Sequence, residues 1–142
     1  MKKYNPYPIH PWVDPKYDLL SEQSKAISVE LADDCEALGK KLLEMYPEKP
    51  HEWTLPSNWG KSLISLANEG DGFRGNISFP ELTDTLEDDV NYLETILDEM
   101  EDFRDVDKFA NEIAELRDDI DEARHCIIFD RSRFYRDCGE GA

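Results

Sequence analysis

The sequence lacks several features that would point to a well-known class of protein. No apolar run approaches the length of a membrane span, and the opening residues MKKYNPYPIHPWV lack the apolar stretch of a signal peptide. The 3 cysteines are widely spaced and none belongs to a C-x-x-C pair, so neither a disulfide framework nor a zinc site is indicated. We therefore expect the protein to reside in a reducing cytoplasm.

Basic residues are also scarce. The 142-residue chain carries 16 Lys and Arg against 33 Asp and Glu, for a formal net charge of −17. Nucleic-acid binding depends on contacts from Lys and Arg to phosphates, so this balance argues against direct binding to nucleic acid. The same repulsion argues against anionic membrane surfaces. The composition instead predicts a cationic partner: a metal ion, a basic protein surface, or the nucleic-acid-binding cleft of another protein.

The chain length and the high charged fraction favour one all-α domain built as an elongated helical bundle. We expect about three long helices and one short one within residues 14–138. Residues 1–13 alternate prolines with aromatic residues, which predicts an extended arm that either packs on the bundle or binds the partner. Residues 139–142 are expected to form a flexible tail.

Capping residues and prolines mark where the predicted helices of this domain begin and end. Asp14-Pro15 predicts the start of a first helix that runs to about Tyr46, where Pro47 follows. A second helix is expected from a cap at Ser57 to about Asn68, and the capping box at 78–81 predicts the start of a third. The apolar stripe expected on the first helix is Leu20, Ile27, Leu31, Cys35, Leu38, Leu42 and Met45. The second is expected to bury some of Trp59, Leu63, Ile64 and Leu66.

The C-terminal half predicts an acidic helical hairpin. Two apolar stripes occur at helical spacing, and their centres lie about half a turn apart when both are placed on one continuous helix. A turn near 103–107, with Asp105 as a cap, lets both stripes face the same core. The first stripe is Leu82, Leu86, Val90, Leu93, Ile96, Leu97 and Met100, and the second is Phe109, Ile113, Leu116, Ile120, Ala123 and Ile127.

This hairpin carries most of the net charge of the chain. Between Glu81 and Glu122 there are 18 Asp or Glu residues against 3 basic ones. Each arm would be roughly 33 Å long, a length over which duplex DNA carries about 19 phosphate charges. Like charges at i,i+4 mildly destabilise a helix, so the charge suggests a role beyond solubility. The outward carboxylates expected to bind a partner are Asp84, Glu87, Asp88, Glu94, Asp98, Glu101, Asp102, Glu112, Glu115, Asp118, Asp119 and Glu122.

The leading functional hypothesis is a DNA mimic that inhibits a DNA- or RNA-binding protein, in the manner of anti-restriction or anti-CRISPR inhibitors of phages and mobile elements. An alternative is an immunity protein against a basic toxin such as a nuclease, with Trp53, Trp59 and Tyr92 as aromatic anchors. A second alternative is a metal-dependent bundle enzyme using Glu122-x-x-His125, extended by Glu112-x-x-Glu115. No catalytic residue, metal ligand or cofactor is assigned, because no nucleophile–base pair or phosphate-holding loop is evident.

Val29 and Leu43 on the predicted first helix are apolar but fall outside its predicted stripe. Apolar residues outside the core are compatible with a homodimer, so the sequence does not decide between a monomer and a homodimer.

Overall fold

The computed structural model describes residues 20–47, 54–69, 72–75 and 83–141, with side chains up to residue 132. Within these ranges every regular element is helical, so the prediction of an all-α fold is confirmed. The extended arm, the Asp14-Pro15 helix start, Leu82 and the capping box at 78–81 lie outside the described residues. The elements are α1 (Glu22–Met45), α2 (Leu55–Asn68), α3 (Thr83–Met100), a 3₁₀ helix (Val106–Phe109) and α4 (Ala110–Gly141).

Two helices begin at caps other than the expected ones. Ser21 has an extended backbone and its side chain accepts a hydrogen bond from the Ser24 N–H, so α1 begins at Glu22. Thr54 caps α2, and Ser57 lies in the first turn with its N–H donating to the Thr54 hydroxyl. The Thr54 backbone is extended and a proline follows in the first turn, which explains why the helix begins there.

The predicted break between the last two helices is present. α3 ends at Met100, a turn follows, and the 3₁₀ helix leads into α4. Asp105 precedes the 3₁₀ helix but makes no side-chain capping bond. Its carboxylate instead accepts a hydrogen bond from the Tyr46 hydroxyl at 2.5 Å, which ties the turn to the end of α1. The same contact holds the pKa of Asp105 below its usual range.

The four helices form a closed ring around one core. α1 packs on α2 and α4, and α3 packs on α4 and, less extensively, on α2. All described positions of the predicted stripes in α3 and α4 are buried, and so is the α1 stripe except Met45, which is 39% exposed. Cys35 is fully buried in this core, as expected for a small core residue, and burial raises the pKa of its thiol.

α1 and α2 cross at a contact that only glycine permits. A Cβ added to Gly39 would lie 2.7 Å from the Gly60 carbonyl oxygen, and one added to Gly60 would lie 2.9 Å from the Gly39 carbonyl oxygen. Neither backbone can yield without separating the helices, so the two glycines set how closely α1 and α2 approach.

None of the helices described is long and apolar enough to cross a membrane.

α4 extends further than the domain boundaries derived from sequence. Its backbone remains helical to Gly141, so it includes residues 139–141 of the expected tail.

Candidate functional site

The face of α4 turned toward α3 carries three arginines at intervals of seven residues: Arg117, Arg124 and Arg131. Each reaches two or three side chains on α3 or in the turn that follows it. Arg131 contacts Thr83, Asp84 and Glu87, Arg124 contacts Asn91 and Glu94, and Arg117 contacts Asp98 and Glu101. The partners on α3 also repeat every seven residues, because antiparallel helices keep such a register over several turns. We call this set the arginine seam.

Two contacts of the arginine seam have paired, forked geometry. Arg124 donates to both carboxylate oxygens of Glu94 at 3.1 and 3.0 Å. Arg131 does the same to Glu87, at 3.1 Å to each oxygen. Forked contacts are the more specific kind of arginine–carboxylate pair, although each partly exposed pair stabilises a fold by only about 0.2–1 kcal/mol. The seam therefore matters mainly for holding the two arms of the hairpin in a fixed register.

The arginine seam changes the expected roles of several residues. Of the carboxylates expected to bind a partner, Asp84, Glu87, Glu94, Asp98 and Glu101 are engaged within the protein. Arg131 lies ten residues before the end of α4, so it acts in this seam and not at the helix C-terminus. Sequence reasoning examined charge pairs only within a helix. The seven-residue repeat of arginines was the signal that could have revealed the pairing between helices.

The opposite face of α4 meets α1 through a second set of contacts, two levels of which are also seven residues apart, and we call this set the second seam. At one position Lys41 donates to Glu112 at 2.8 Å, which lowers the pKa of that carboxyl. At the far end Asp130 accepts hydrogen bonds from the Ser24 hydroxyl at 2.7 Å and from the Ser21 N–H at 3.1 Å. Both ends of this second seam thus pair a carboxylate with a donor.

The middle of the second seam places carboxyl groups against carboxyl groups. Asp34 on α1 lies seven residues before Lys41, and Asp119 on α4 lies seven residues after Glu112. Glu30 and Glu122 adjoin them, and the carboxylate oxygens of Glu30, Asp119 and Glu122 lie within 4.8 Å of one another. Among the described residues no lysine or arginine forms a salt bridge with any of these groups. We call Glu30, Asp34, Asp119 and Glu122 the acidic cluster.

Asp119 was expected to face outward, and that expectation is wrong. The residue is 5% exposed, and its Oδ2 has no hydrogen-bond partner. Burial, the contact with the Asp34 carboxyl, and the charges of Glu30 and Glu122 together raise the pKa of Asp119 to about 8. The sequence contained a hint, because Asp119 stands three residues after Leu116 and four before Ala123, both of which are buried.

The remaining expected partner-binding residues do face solvent. They are exposed, and none of them forms a salt bridge with a described lysine or arginine. They occur on both arms of the hairpin, two on α3 or its exit and three on α4. We call them the open carboxylates: Asp88, Asp102, Glu115, Asp118 and Glu122.

The metal-binding pattern expected from sequence is not assembled. His125 is exposed, and its Nδ1 lies 2.8 Å from the Asp121 carbonyl oxygen within the same helix. Glu112, expected to extend that pattern, is paired with Lys41. Glu122 lies instead with Glu30 and Asp119, across the seam to α1.

A groove of about 900 Å³ opens between α2, the end of α1 and α3, lined by Leu43, Lys61 and Tyr92 among others. Tyr92 is 50% exposed there. Asp89, which interrupts the apolar phase of α3, also lines this groove and is half-buried. Trp59, expected as an aromatic anchor, is buried and donates its indole N–H to Glu99 at 2.9 Å. Trp53 lies outside the described residues.

No protein-family model, curated protein or solved structure matches this chain. Its function is therefore argued from its own residues.

Proposed function

We propose that this protein binds a basic surface of another protein, and that it does so as a DNA mimic occupying a nucleic-acid-binding cleft. The observation that supports the proposal is the set of open carboxylates, which are exposed on both arms of the hairpin without a cationic partner among the described residues. A cleft lined with Lys and Arg concentrates anions and steers them inward, so such carboxylates gain in encounter rate as well as in contact energy.

The arginine seam supports the same proposal indirectly. By pairing α3 with α4 at three successive levels, it fixes the spacing between the two rows of open carboxylates. A binding surface that is already ordered loses less conformational entropy on association than one built from mobile side chains. The surface is smaller than the twelve-residue set expected from sequence, and the chain remains strongly acidic at a formal net charge of −17.

The test is affinity capture from a cell lysate with the protein as bait, followed by elution with duplex DNA and mass spectrometry. We expect the DNA to release proteins that have basic nucleic-acid-binding clefts. The variant D88N/D102N/E115Q/D118N should capture far less of the same proteins, because it removes four open carboxylates and leaves the acidic cluster intact.

The matched control is E22K/E44K. Glu22 and Glu44 are exposed on α1, and reversing both changes the net charge by the same amount as neutralising four carboxylates. The control should capture the same proteins as the wild type. Equal capture by the wild type and the fourfold variant would contradict the proposal, and so would captured proteins that duplex DNA does not release.

The immunity-protein alternative has one observation in its favour. Tyr92 is half exposed beside the groove, where an aromatic side chain serves as a binding anchor. In that case one protein stays bound through the DNA wash, and Tyr92→Ala releases it while the fourfold variant does not.

A further inference from the structure

The acidic cluster brings together carboxyl groups from two helices. Glu30 and Asp34 are four residues apart on α1, and Asp119 and Glu122 are three apart on α4, so each pair lies on one helical face. α1 and α4 pack against each other and turn these faces together. One oxygen each from Glu30, Asp119 and Glu122 lies within 4.8 Å of the other two, a spacing that allows all three to contact one ion.

A second observation distinguishes this cluster from an ordinary acidic surface. Asp119 is 95% buried, since only 5% of its surface is exposed, and its Oδ2 makes no hydrogen bond. Asp119 also supplies one of the three carboxylate oxygens that lie within 4.8 Å of one another. A buried oxygen without a partner is costly, and buried charges in proteins are usually paired or bound to a metal.

The neighbouring contacts along the same seam show that the fold can supply partners. Lys41 forms a salt bridge with Glu112 on one side of the cluster. On the other side, the Ser24 hydroxyl and the Ser21 N–H donate hydrogen bonds to Asp130. Asp34 occupies the position equivalent to Lys41, one heptad away, and opposes Asp119 with a carboxyl group. Among the described residues the cluster therefore has oxygen donors and charge but no cation.

We propose that Glu30, Asp119 and Glu122 bind a hard divalent cation, such as Mn²⁺, Mg²⁺ or Ca²⁺, between α1 and α4, with Asp34 beside Asp119. The donor set consists of carboxylate oxygens, the ligands these ions prefer, and contains no thiolate or imidazole that would select zinc or copper. Glu30 and Glu122 are exposed, so the ion reaches the site from solvent and retains water ligands on that side. The site shares Glu122 with the open carboxylates, but the argument for the metal ion does not depend on the proposed DNA mimicry.

The first experiment titrates the full chain with Mn²⁺ at 0.15 M monovalent salt, with free Mn²⁺ followed by electron paramagnetic resonance. We expect saturable binding of one Mn²⁺ per chain, displaced by Mg²⁺ or Ca²⁺. Asp119→Asn and Glu122→Gln should each weaken the affinity by about 10- to 100-fold, a loss seen even for groups one shell removed from a metal.

The matched control is Asp118→Asn. Asp118 carries the same charge next to Asp119 in sequence, but it faces solvent and lies outside the cluster. Its variant should bind Mn²⁺ with wild-type affinity. Absence of saturable binding by the wild type, or an equal loss in D118N and D119N, would overturn the proposal, because the chain would then attract cations only as a general polyanion.

A second variant tests the site by adding a positively charged side chain to the acidic cluster, so the test does not depend only on removing ligands. Asp34→Lys copies the Lys41–Glu112 pair into the next heptad and provides Asp119 with a cation from within the chain. We expect this variant to remain folded in EDTA and to show no rise in melting temperature when 1 mM Mn²⁺ is added at about pH 8, whereas the wild type shows a rise. Equal rises in both proteins would contradict a site at this seam.

Discussion

α4 contacts its two main neighbours through seams that share a spacing and differ in charge balance. Toward α3, Arg117, Arg124 and Arg131 each meet one or two carboxylates. Toward α1, the repeat begins with the Lys41–Glu112 pair and then places Asp119 against Asp34. The geometry that aligns side chains is therefore the same on both faces, and the residue type at each level decides whether the alignment stabilises the fold or opposes it.

The difference teaches that acidic residues in this chain serve at least two structural roles. Those on α3 help to hold the hairpin together, because arginines are spaced to meet them. In the acidic cluster on the other face, burial and neighbouring carboxylates raise the pKa of Asp119 to about 8, so its ionisation is opposed in the folded protein. The experiments that follow are ordered from the largest expected effect to the smallest.

The largest effect is expected from pH in the presence of EDTA. The pKa of Asp119 is raised from 3.8 to about 8 in the folded protein, so the folded state holds a proton that the unfolded state releases. For this group stability should therefore be greatest below about pH 3.8 and should fall as pH rises from there to about 8, by at most about 1.4 kcal/mol per pH unit. Urea denaturation at several pH values measures this slope.

Asp119→Asn is the control for that slope. Asparagine does not titrate, so the variant should have a flatter profile than the wild type between pH 5 and 8 and should be the more stable protein at pH 8. A wild-type profile as flat as that of the variant would show that Asp119 is ionised in the folded state, and the contrast between the two seams would then be smaller than described.

The arginine seam should give the next largest effect. Arg124→Gln removes the forked contact with Glu94 and should lower the free energy of unfolding by about 0.5–1 kcal/mol. Arg104→Gln is the matched control, because the Arg104 side chain is 90% exposed and, within the described part of the chain, forms an ion pair only with its sequence neighbour Asp105. Urea denaturation of both variants at pH 7 measures the difference, and equal stabilities would show that the seam does not stabilise the hairpin.

Lys41→Asp converts the paired level of the second seam into another opposed pair of carboxylates. At pH 7 the variant should be about 0.5–1 kcal/mol less stable than the neutral Lys41→Met, because both variants lack the salt bridge to Glu112 and only Lys41→Asp adds a repulsion with it. Part of the loss should be recovered as the pH falls and one of the two carboxylates is protonated. A variant that is as stable as K41M across this range would break the analogy between the two levels of the seam.

Salt should have the smallest effect. Added salt screens the attractions of the arginine seam together with the repulsions among the open carboxylates, so the melting temperature of the wild type should change little. The triple variant R117Q/R124Q/R131Q retains the repulsions and lacks the attractions. Its melting temperature should rise more than that of the wild type between 0.05 and 0.5 M NaCl in thermal melts, and equal responses would argue against paired charges on α3.

The helices themselves could be predicted from sequence because their signals are local. Apolar residues at spacings of three and four located the buried faces of α1, α3 and α4, and the half-turn phase difference between two stripes required the break after Met100. Local signals were less reliable at helix starts, where two nearby candidate caps compete. Ser57 has the right chemistry for a cap, but Thr54 occupies the extended backbone position that capping requires.

The tertiary structure decided which carboxylates are free, which are paired and which are buried. That outcome depends on the register between helices, because a side chain on α4 meets a partner on α3 or α1 only where packing aligns their levels. Glu94 and Asp118 look alike in the sequence, yet one is bound by Arg124 and the other faces solvent. Asp119 differs from Asp118 by a single helical position, and the packing of α1 against α4 turns that difference into burial among like charges.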